Sequence, residues 1–292
     1  MTEQVFWAAV LGSPIAHSKS PGIHRAAYRY LNAPITYERI ELAEAQADAF
    51  MESLEQRYGS TQQLAGFSVT MPLKSVMVPH MAQVSKLVAD LGVLNTIVFD
   101  QHGQAHGYNT DVEGVRRALI QAGFEADGGG TMGILGAGGT ATAAVAAAAE
   151  MGLERVVLYV RNPQRAHDVV AVAQRFGLAA EVQLLEDFPA AAPAHQAVVA
   201  TLPAHSADGL ATRLSGEQLP PLLDVIYDPW PTALASAWKA TGADVASGLD
   251  MLLYQGVEQA KLFTEKLLEH HGDIDWNTAT QYMAEALGLE HA

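Results

Sequence analysis

Apolar and polar positions fall into two rhythms along this chain. VFWAAVLG (5–12), ITYERIEL (35–42) and LAGFSVT (64–70) alternate or stay apolar over strand lengths. SPGIHRAAYRYL (20–31) and AQADAFMESLEQRY (45–58) repeat at helical spacing, the first after a Ser-Pro start and the second ending at Gly59. The pattern then predicts a short helix near SVMVPHMAQVSKLVADLG (75–92) and a hairpin over LNTIVFDQHGQAHGYN (94–109). TDVEGVRRALIQAGF (110–124) follows as a helix with a capping residue and acidic first-turn side chains. After the glycine-rich EADGGG (125–130) the rhythm restarts with a strand at TMGILGA, an Ala-rich helix from Gly138 to Glu150, a strand at RVVLYV and a helix at PQRAHDVVAVAQRF. Strands at EVQLL, AVVATLP and LLDVIYDP complete this part. MLLYQGVEQAKLFTEKLL and NTATQYMAEALG close the chain as helices with no strand between them. Strands alternating with helices predict an α/β fold: an open α/β domain over 1–111, a second α/β domain over 112–247, and helices over 248–292 that pack back on the first.

The length of 292 residues fits two domains better than one core. Hydrophobic residues make up 49% and charged residues 17%, and no apolar run reaches membrane-spanning length, so an ordinary globular protein is expected. The opening MTEQVFWAAVLGSP lacks the basic region of a secretory signal, which makes the cytoplasm the expected location. With no cysteine, disulfides, thiol nucleophiles and thiolate metal sites are excluded. A net charge of −15, from 32 acidic against 17 basic side chains, argues against a nucleic-acid surface. An anionic small molecule is still compatible, provided the few cations gather where it binds. His102 and His106 are four residues apart in a glycine-containing turn and His270–His271 end a helix, and neither pair has metal-ligand spacing. The expected partners are a small-molecule substrate and a second copy of the chain, with no nucleic acid, membrane or metal.

GILGAGGTATAA carries Gly136 and Gly138 in a G-x-G-x-x-A arrangement with Ala141, after an apolar strand and before a helix-forming run. Gly136 permits a tight turn, Gly138 lets the backbone approach a pyrophosphate, and the helix N-terminus offers free N–H groups to the anion. The second domain is therefore expected to be a Rossmann dinucleotide-binding domain. The next strand ends in LYVRNPQRA, with Arg161, Asn162 and Arg165 where an NAD site usually carries an acid. Two guanidiniums suit a 2′-phosphate, so NADP is expected and NAD is the alternative. A plainer reading has Arg161 ending the strand and Arg165 on a solvated helix face.

In FSVTMPLKS, Pro72 stops a strand and Lys74 sits just past its end, where open α/β sheets bind ligands and where surface lysines also abound. Ser18 and Ser20 supply alternate hydroxyls after the first strand; Thr70, Asn95 and Asp111 are polar groups at other strand ends. Each has an ordinary explanation as a cap or turn residue. Together, opposite a dinucleotide domain, they suit the oxidation of a polyhydroxylated acid.

GSPIAHSKSPGIH, SVTMPLK, LGVLNT, GYNTD, GAGGTA, DVIYDPWPT and GLDMLLYQGVEQ closely resemble, in the same order, the motifs of the shikimate dehydrogenase family. The resemblance covers nearly the whole chain and implies an N-terminal catalytic domain, a Rossmann NADP-binding domain and a C-terminal helical return. It implies that Ser18 and Ser20, helped by Tyr227, hold a substrate carboxylate, and that Thr70, Lys74, Asn95, Asp111 and Gln255 contact ring hydroxyls. Lys74 and Asp111 are the implied catalytic pair. For the cofactor it points to Gly136, Ala137, Gly138, Gly139 and Thr140, to Val160 through Arg165, and to Val225, Gly248 and Met251 near the nicotinamide. The implied reaction is reversible NADPH-dependent reduction of 3-dehydroshikimate to shikimate. The family commonly has Asn where this chain has Ser68, and His or Phe where it has Leu73. Lys86 stands in the region where family members often carry an acidic helix. The rivals are an NAD-dependent quinate or dual quinate/shikimate dehydrogenase, which Ser20 and Arg161 disfavour, and a non-catalytic sensor, expected to lose Lys74 or Asp111.

Overall fold

The computed structural model describes residues 5–126, 128–214, 219–268 and 274–290. Asp127 of the glycine-rich break and the His270–His271 pair lie outside them. The chain divides into two compact units, Met1–Thr110 with Leu253–Ala292, and Asp111–Leu252.

The first unit holds six strands: β1 (Phe6–Gly12), β2 (Ile35–Glu41), β3 (Leu64–Val69), β4 (Gln83–Val84), β5 (Thr96–Phe99) and β6 (Ala105–Tyr108). Their order in the sheet is β2-β1-β3-β5-β6-β4. β1 runs parallel to β2 and β3, while β5, in a hairpin with β6, is antiparallel to β3. All six residues of β3 are buried, so its sequence is nearly continuous in apolar and small residues rather than alternating. One face covers a core of Leu11, Phe67, Leu73, Met77, Ile97 and Phe99. On the other face Phe263 approaches so closely that a Cβ on Gly66 would lie 2.2 Å from its ring, which explains a glycine inside this strand. The C-terminal helices belong to this unit: Trp276–Leu287 packs on Ser20–Tyr30, with the Tyr30 and Tyr282 rings stacked at 5.2 Å.

Two expected elements are subdivided. The helix expected over 45–58 breaks at Ser53, whose hydroxyl donates to the Phe50 carbonyl and separates Ala47–Glu52 from Leu54–Tyr58. The stretch 75–92 becomes a 3₁₀ turn at Val78–His80 around Pro79, then β4, then a helix over Lys86–Leu91 capped by the Ser85 hydroxyl.

The second unit has six parallel strands: β7 (Thr131–Leu135), β8 (Arg155–Val160), β9 (Ala179–Leu184), β10 (Ala197–Ala200), β11 (Leu222–Asp224) and β12 (Val245–Ser247). Their order, β9-β8-β7-β10-β11-β12, is that of a Rossmann fold, with the strand order reversing between β7 and β10. Ligands bind outside the carboxyl ends of the strands at such a switch point. The strand expected over 197–203 stops at Ala200: the Thr201 N–H makes the last ladder bond, to the Leu135 carbonyl, and the Thr201 hydroxyl donates to the same oxygen, each at 2.8 Å. The strand expected over 222–229 stops at Asp224, whose carboxylate accepts from the Ile226 N–H and the Thr232 hydroxyl. β12 and the helix Ala233–Lys239 carry no signal in the pattern: the strand has three residues, and tertiary pairing with β11 decides it.

Candidate functional site

The polar residues singled out in the first unit gather at the C-terminal ends of β1 and β3 and at the entry to β5. The loop after β1 is held by the side chains of β2. Glu41 accepts from the Ser13 hydroxyl at 2.5 Å and the Ile15 N–H at 2.9 Å, while Arg39 donates through Nε and Nη2 to the Ser18 carbonyl at 3.1 and 2.6 Å. Ser20 begins the Ser20–Tyr30 helix, and its N–H donates to the Ser18 hydroxyl. Ser20 is buried. Beyond β3 the Thr70 N–H pairs with the Leu11 carbonyl, and the Leu73 N–H closes a turn on the Thr70 carbonyl. Lys74 follows this turn, half-buried, with its carbonyl accepting from the Leu94 N–H at 2.9 Å. The lysine is therefore tied at its backbone to the segment that carries Asn95.

Asn95 and Gln255 meet directly. Asn95 Nδ2 donates to Gln255 Oε1 at 3.1 Å and to Thr110 Oγ1 at 2.9 Å, while its Oδ1 accepts from the Thr96 hydroxyl at 2.7 Å and the Thr110 N–H at 2.8 Å. Asn95 is 2% exposed and Gln255 7%, so this is a fixed amide pair rather than two surface groups.

Behind the pair lies a buried polar chain that the pattern of the sequence leaves unread. The Tyr37 hydroxyl donates to Ser68 Oγ at 2.6 Å, and Ser68 donates to Gln259 Oε1 at 2.7 Å. Gln259 Nε2 donates to the Asn95 carbonyl and to Thr96 Oγ1, both at 3.0 Å. Since a carbonyl only accepts, the amide orientation is determined, and the remaining contact at 3.2 Å makes His24 Nε2 the donor to Gln259 Oε1. His24 Nδ1 then accepts from the Tyr28 hydroxyl at 3.0 Å. Burial lowers the His24 pKa to about 3, so the ring is neutral, and it raises the Tyr28 and Tyr37 hydroxyls well above their usual range. One sequence signal does point to Gln259: it lies four residues after Gln255, so two amides share one face of a largely apolar helix.

The second unit carries the other singled-out residues. Asp111 opens the Asp111–Gln121 helix rather than preceding it, and it is buried in the first turn, where the helix dipole favours a carboxylate. It is covalently next to Thr110, which bonds Asn95. Tyr227 is half-buried in the segment after β11. Val225 pairs through its N–H with the Ala200 carbonyl, and a Cβ on Gly248 would lie 2.1 Å from the Val225 carbonyl oxygen. These two residues are thus pressed together at the ends of β11 and β12, with Met251 one turn into the helix Gly248–Thr264. Asp250 closes this corner by accepting from the N–H and hydroxyl of Ser247, each at 2.7 Å.

The loop Gly136–Ala137–Gly138–Gly139–Thr140 joins β7 to the helix Gly139–Glu150 at the switch point. Gly136 has φ +107°, and its added Cβ would lie 2.6 Å from Thr201 Oγ1, so a glycine is required by the turn itself. Gly138, at the N-cap, differs: φ is −98° and, its chain neighbours aside, nothing among the described residues lies within 4 Å of an added Cβ. The space its missing side chain leaves is open for a ligand at the helix N-terminus. After β8, Asn162 Oδ1 caps a 3₁₀ turn by accepting from the Gln164 N–H, and Arg161 and Arg165 flank it, exposed. Among the described residues neither guanidinium has a side-chain hydrogen bond or ion pair, and no acidic residue stands between Val160 and Arg165. This chemistry fits a dinucleotide with an extra phosphate on its ribose. Among the described residues no group of three or more His, Asp or Glu could hold a metal ion, and no helix is long and apolar enough to cross a membrane.

Residues 10–97 match the sequence profile of the shikimate dehydrogenase substrate binding domain. The NADP(+) shikimate dehydrogenase of Moorella thermoacetica is 33% identical over 266 residues, covering 88% of this chain and 87% of that protein. The crystal structure of Mycobacterium tuberculosis shikimate dehydrogenase superposes with a TM-score of 0.81 at 38% identity, over 96% of this chain and 99% of that one. The shikimate 5-dehydrogenase of Thermus thermophilus in complex with NADP(H) and shikimate gives 0.77 at 30% identity, over 97% and 100% of the two chains. Because identity of this order runs through almost the full length of both partners in each comparison, and on the same fold, this chain belongs to the shikimate dehydrogenase family.

Proposed function

We propose that this chain is an NADP-dependent shikimate dehydrogenase, an oxidoreductase acting on a CH–OH group that interconverts shikimate and 3-dehydroshikimate. The observation that carries the reading is the match to NADP(+) shikimate dehydrogenases over almost the whole of both chains. Arg161 and Arg165, with no acid between Val160 and Arg165, favour NADP over NAD, and with it shikimate over the quinate alternative.

The substrate's carboxylate is held by the hydroxyls of Ser18 and Ser20, with Tyr227 as a third donor. Its ring hydroxyls fall to Thr70, Lys74, Asn95, Asp111 and Gln255. Asn95 already uses its amide within the protein, so contact with a hydroxyl exchanges its bond to Gln255 for one to substrate. Gly136 through Thr140 hold the pyrophosphate, Arg161, Asn162 and Arg165 the adenosine end, and Val225, Gly248 and Met251 the nicotinamide. Bound NADPH supplies the hydride that reduces the ring C3 carbonyl. Lys74 delivers the proton that the resulting oxyanion needs and removes it in the reverse direction, with Asp111 as the second member of the pair. The reading also carries a homodimer in the cytoplasm, and light scattering tests the assembly.

The decisive experiment follows NADPH consumption with 3-dehydroshikimate, and in reverse compares shikimate with NADP against quinate with NAD. Shikimate with NADP is expected to be the faster pair. No turnover with either substrate overturns the enzyme assignment.

A further inference from the structure

Gln259 is 1% exposed, and all four of its hydrogen-bonding positions are filled by protein: two donations to Asn95 and Thr96, two acceptances from Ser68 and His24. A saturated buried amide is costly to misplace in any direction, because each displacement leaves a partner unpaired away from water. Its partners come from separate elements. His24 lies on the Ser20–Tyr30 helix, Ser68 on β3 two residues before Thr70, and Asn95 and Thr96 at the entry to β5. Through Ser68 the same amide reaches Tyr37, and through His24 it holds the helix that Ser20 opens. It therefore stands between the hydroxyl assigned to the carboxylate and the amide assigned to the ring hydroxyls.

We propose that Gln259 is a positioning residue that sets the spacing between the carboxylate end of the substrate site, at Ser20, and its hydroxyl end, at Asn95 and Gln255. The proposal deepens the functional reading above and rests on it. Ser68 and Thr96 are direct cross-strand partners in β3 and β5, so their side chains share a face at close range. Serine is too short to reach beyond Thr96 to the Asn95 carbonyl, and the amide of Gln259 completes the link from the helix side. A longer amide at position 68 can supply the same donors from the strand side. Ser68 and Gln259 are in this sense one device made of two residues.

The test measures Gln259→Met, which keeps the length of the side chain and removes every hydrogen bond, for kcat, for the KM values of shikimate and NADP, and for shikimate affinity by calorimetry. Shikimate KM and Kd are expected to rise by about tenfold while the NADP KM stays within about twofold. Adding Ser68→Asn to that variant is expected to restore most of the shikimate affinity. A shikimate KM unchanged in a folded Gln259→Met protein overturns the proposal, as does a loss of kcat and of both affinities in step with melting temperature and without rescue. Should Gln259→Met not fold, Ser68→Ala removes the bond to Oε1 together with the one Ser68 accepts from Tyr37, leaving the other three bonds of the amide in place, and an unchanged shikimate KM there overturns it equally. Wild-type turnover of shikimate is the control: its absence overturns the functional reading, whereas turnover with an unmoved KM in the variants overturns only the positioning role.

Discussion

Lys74 is half-buried and its backbone is pinned to Leu94, so removing its side chain takes away the proposed proton donor without dismantling a fold element. Lys74→Ala is expected to lower kcat by about 10²–10⁴ while shikimate affinity measured by calorimetry changes far less. Equal losses in both would make the lysine a binding group instead. Arg161→Ala combined with Arg165→Ala is expected to raise the KM for NADP by about ten- to a hundredfold and leave that for NAD nearly unchanged, since charge-assisted bonds to a 2′-phosphate are the contacts removed. At this scale a lysine beyond a strand end and two arginines where an acid is usual stand out as candidates, while the role given to Lys74 comes from the ordered motifs around it rather than from its position alone. Tyr37, His24 and Gln259 do not stand out, because the bonds that tie Tyr37 to Ser68, Ser68 to Gln259 and His24 to Gln259 span 31, 191 and 235 residues of chain. A local pattern of apolar and polar positions holds no information on such pairings.

The turn between β7 and its helix separates two uses of glycine that look alike in the motif. Gly136→Ala forces a side chain onto a backbone with φ +107° and against Thr201, so a stability loss of about 1–3 kcal/mol in denaturant melts is expected. Gly138→Ala places its methyl in open space at an ordinary φ, so the melt is expected to match wild type while NADP affinity falls. A Gly138→Ala protein that binds NADP normally would remove this position from the cofactor site. Strands whose residues are buried on both faces are readable from the chain alone: β3, β7 and β8 are runs of apolar and small residues of sufficient length. β12 is not, since three residues carry no period and its identity comes from pairing with β11. The pattern overruns the ends of β10 and β11 for a related reason. The apolar character continues past Ala200 and Asp224, but there the Thr201 hydroxyl and the Asp224 carboxylate bond backbone groups at the strand ends, which a pattern of apolar positions does not register.

Across the whole molecule, each unit buries a histidine that the folded state keeps neutral. His24 sits in the first, stacked on Tyr37 at 4.2 Å, with burial lowering its pKa from 6.5 to about 3. His195 sits in the second, against Gly133, with Nε2 on the Tyr159 hydroxyl at 2.9 Å, Nδ1 without a partner among the described residues, and burial lowering its pKa to about 4. Both groups take up a proton near pH 6.5 once unfolded, but only near pH 3 to 4 while folded. Below pH 6.5 the unfolded chain therefore binds more protons than the folded one, and stability must fall as pH falls. The contribution of the two is fully present above about pH 6.5 and is lost progressively toward pH 4, where His24 alone accounts for about 3 kcal/mol at 1.36 kcal/mol per pH unit. Denaturant melts from pH 7 to pH 4 are expected to show this decline. The two sites are separable: His24→Gln should flatten the pH dependence of whichever unfolding signal reports the first unit, and His195→Phe that of the second. Such variants can differ from wild type in absolute stability, so the slope against pH is the measurement that decides. A slope between pH 7 and pH 4 that is unchanged in both variants would overturn the assignment to the histidines, because carboxylates such as Asp100 and Asp275, whose hydrogen bonds lower their pKa, lose their contribution only at lower pH.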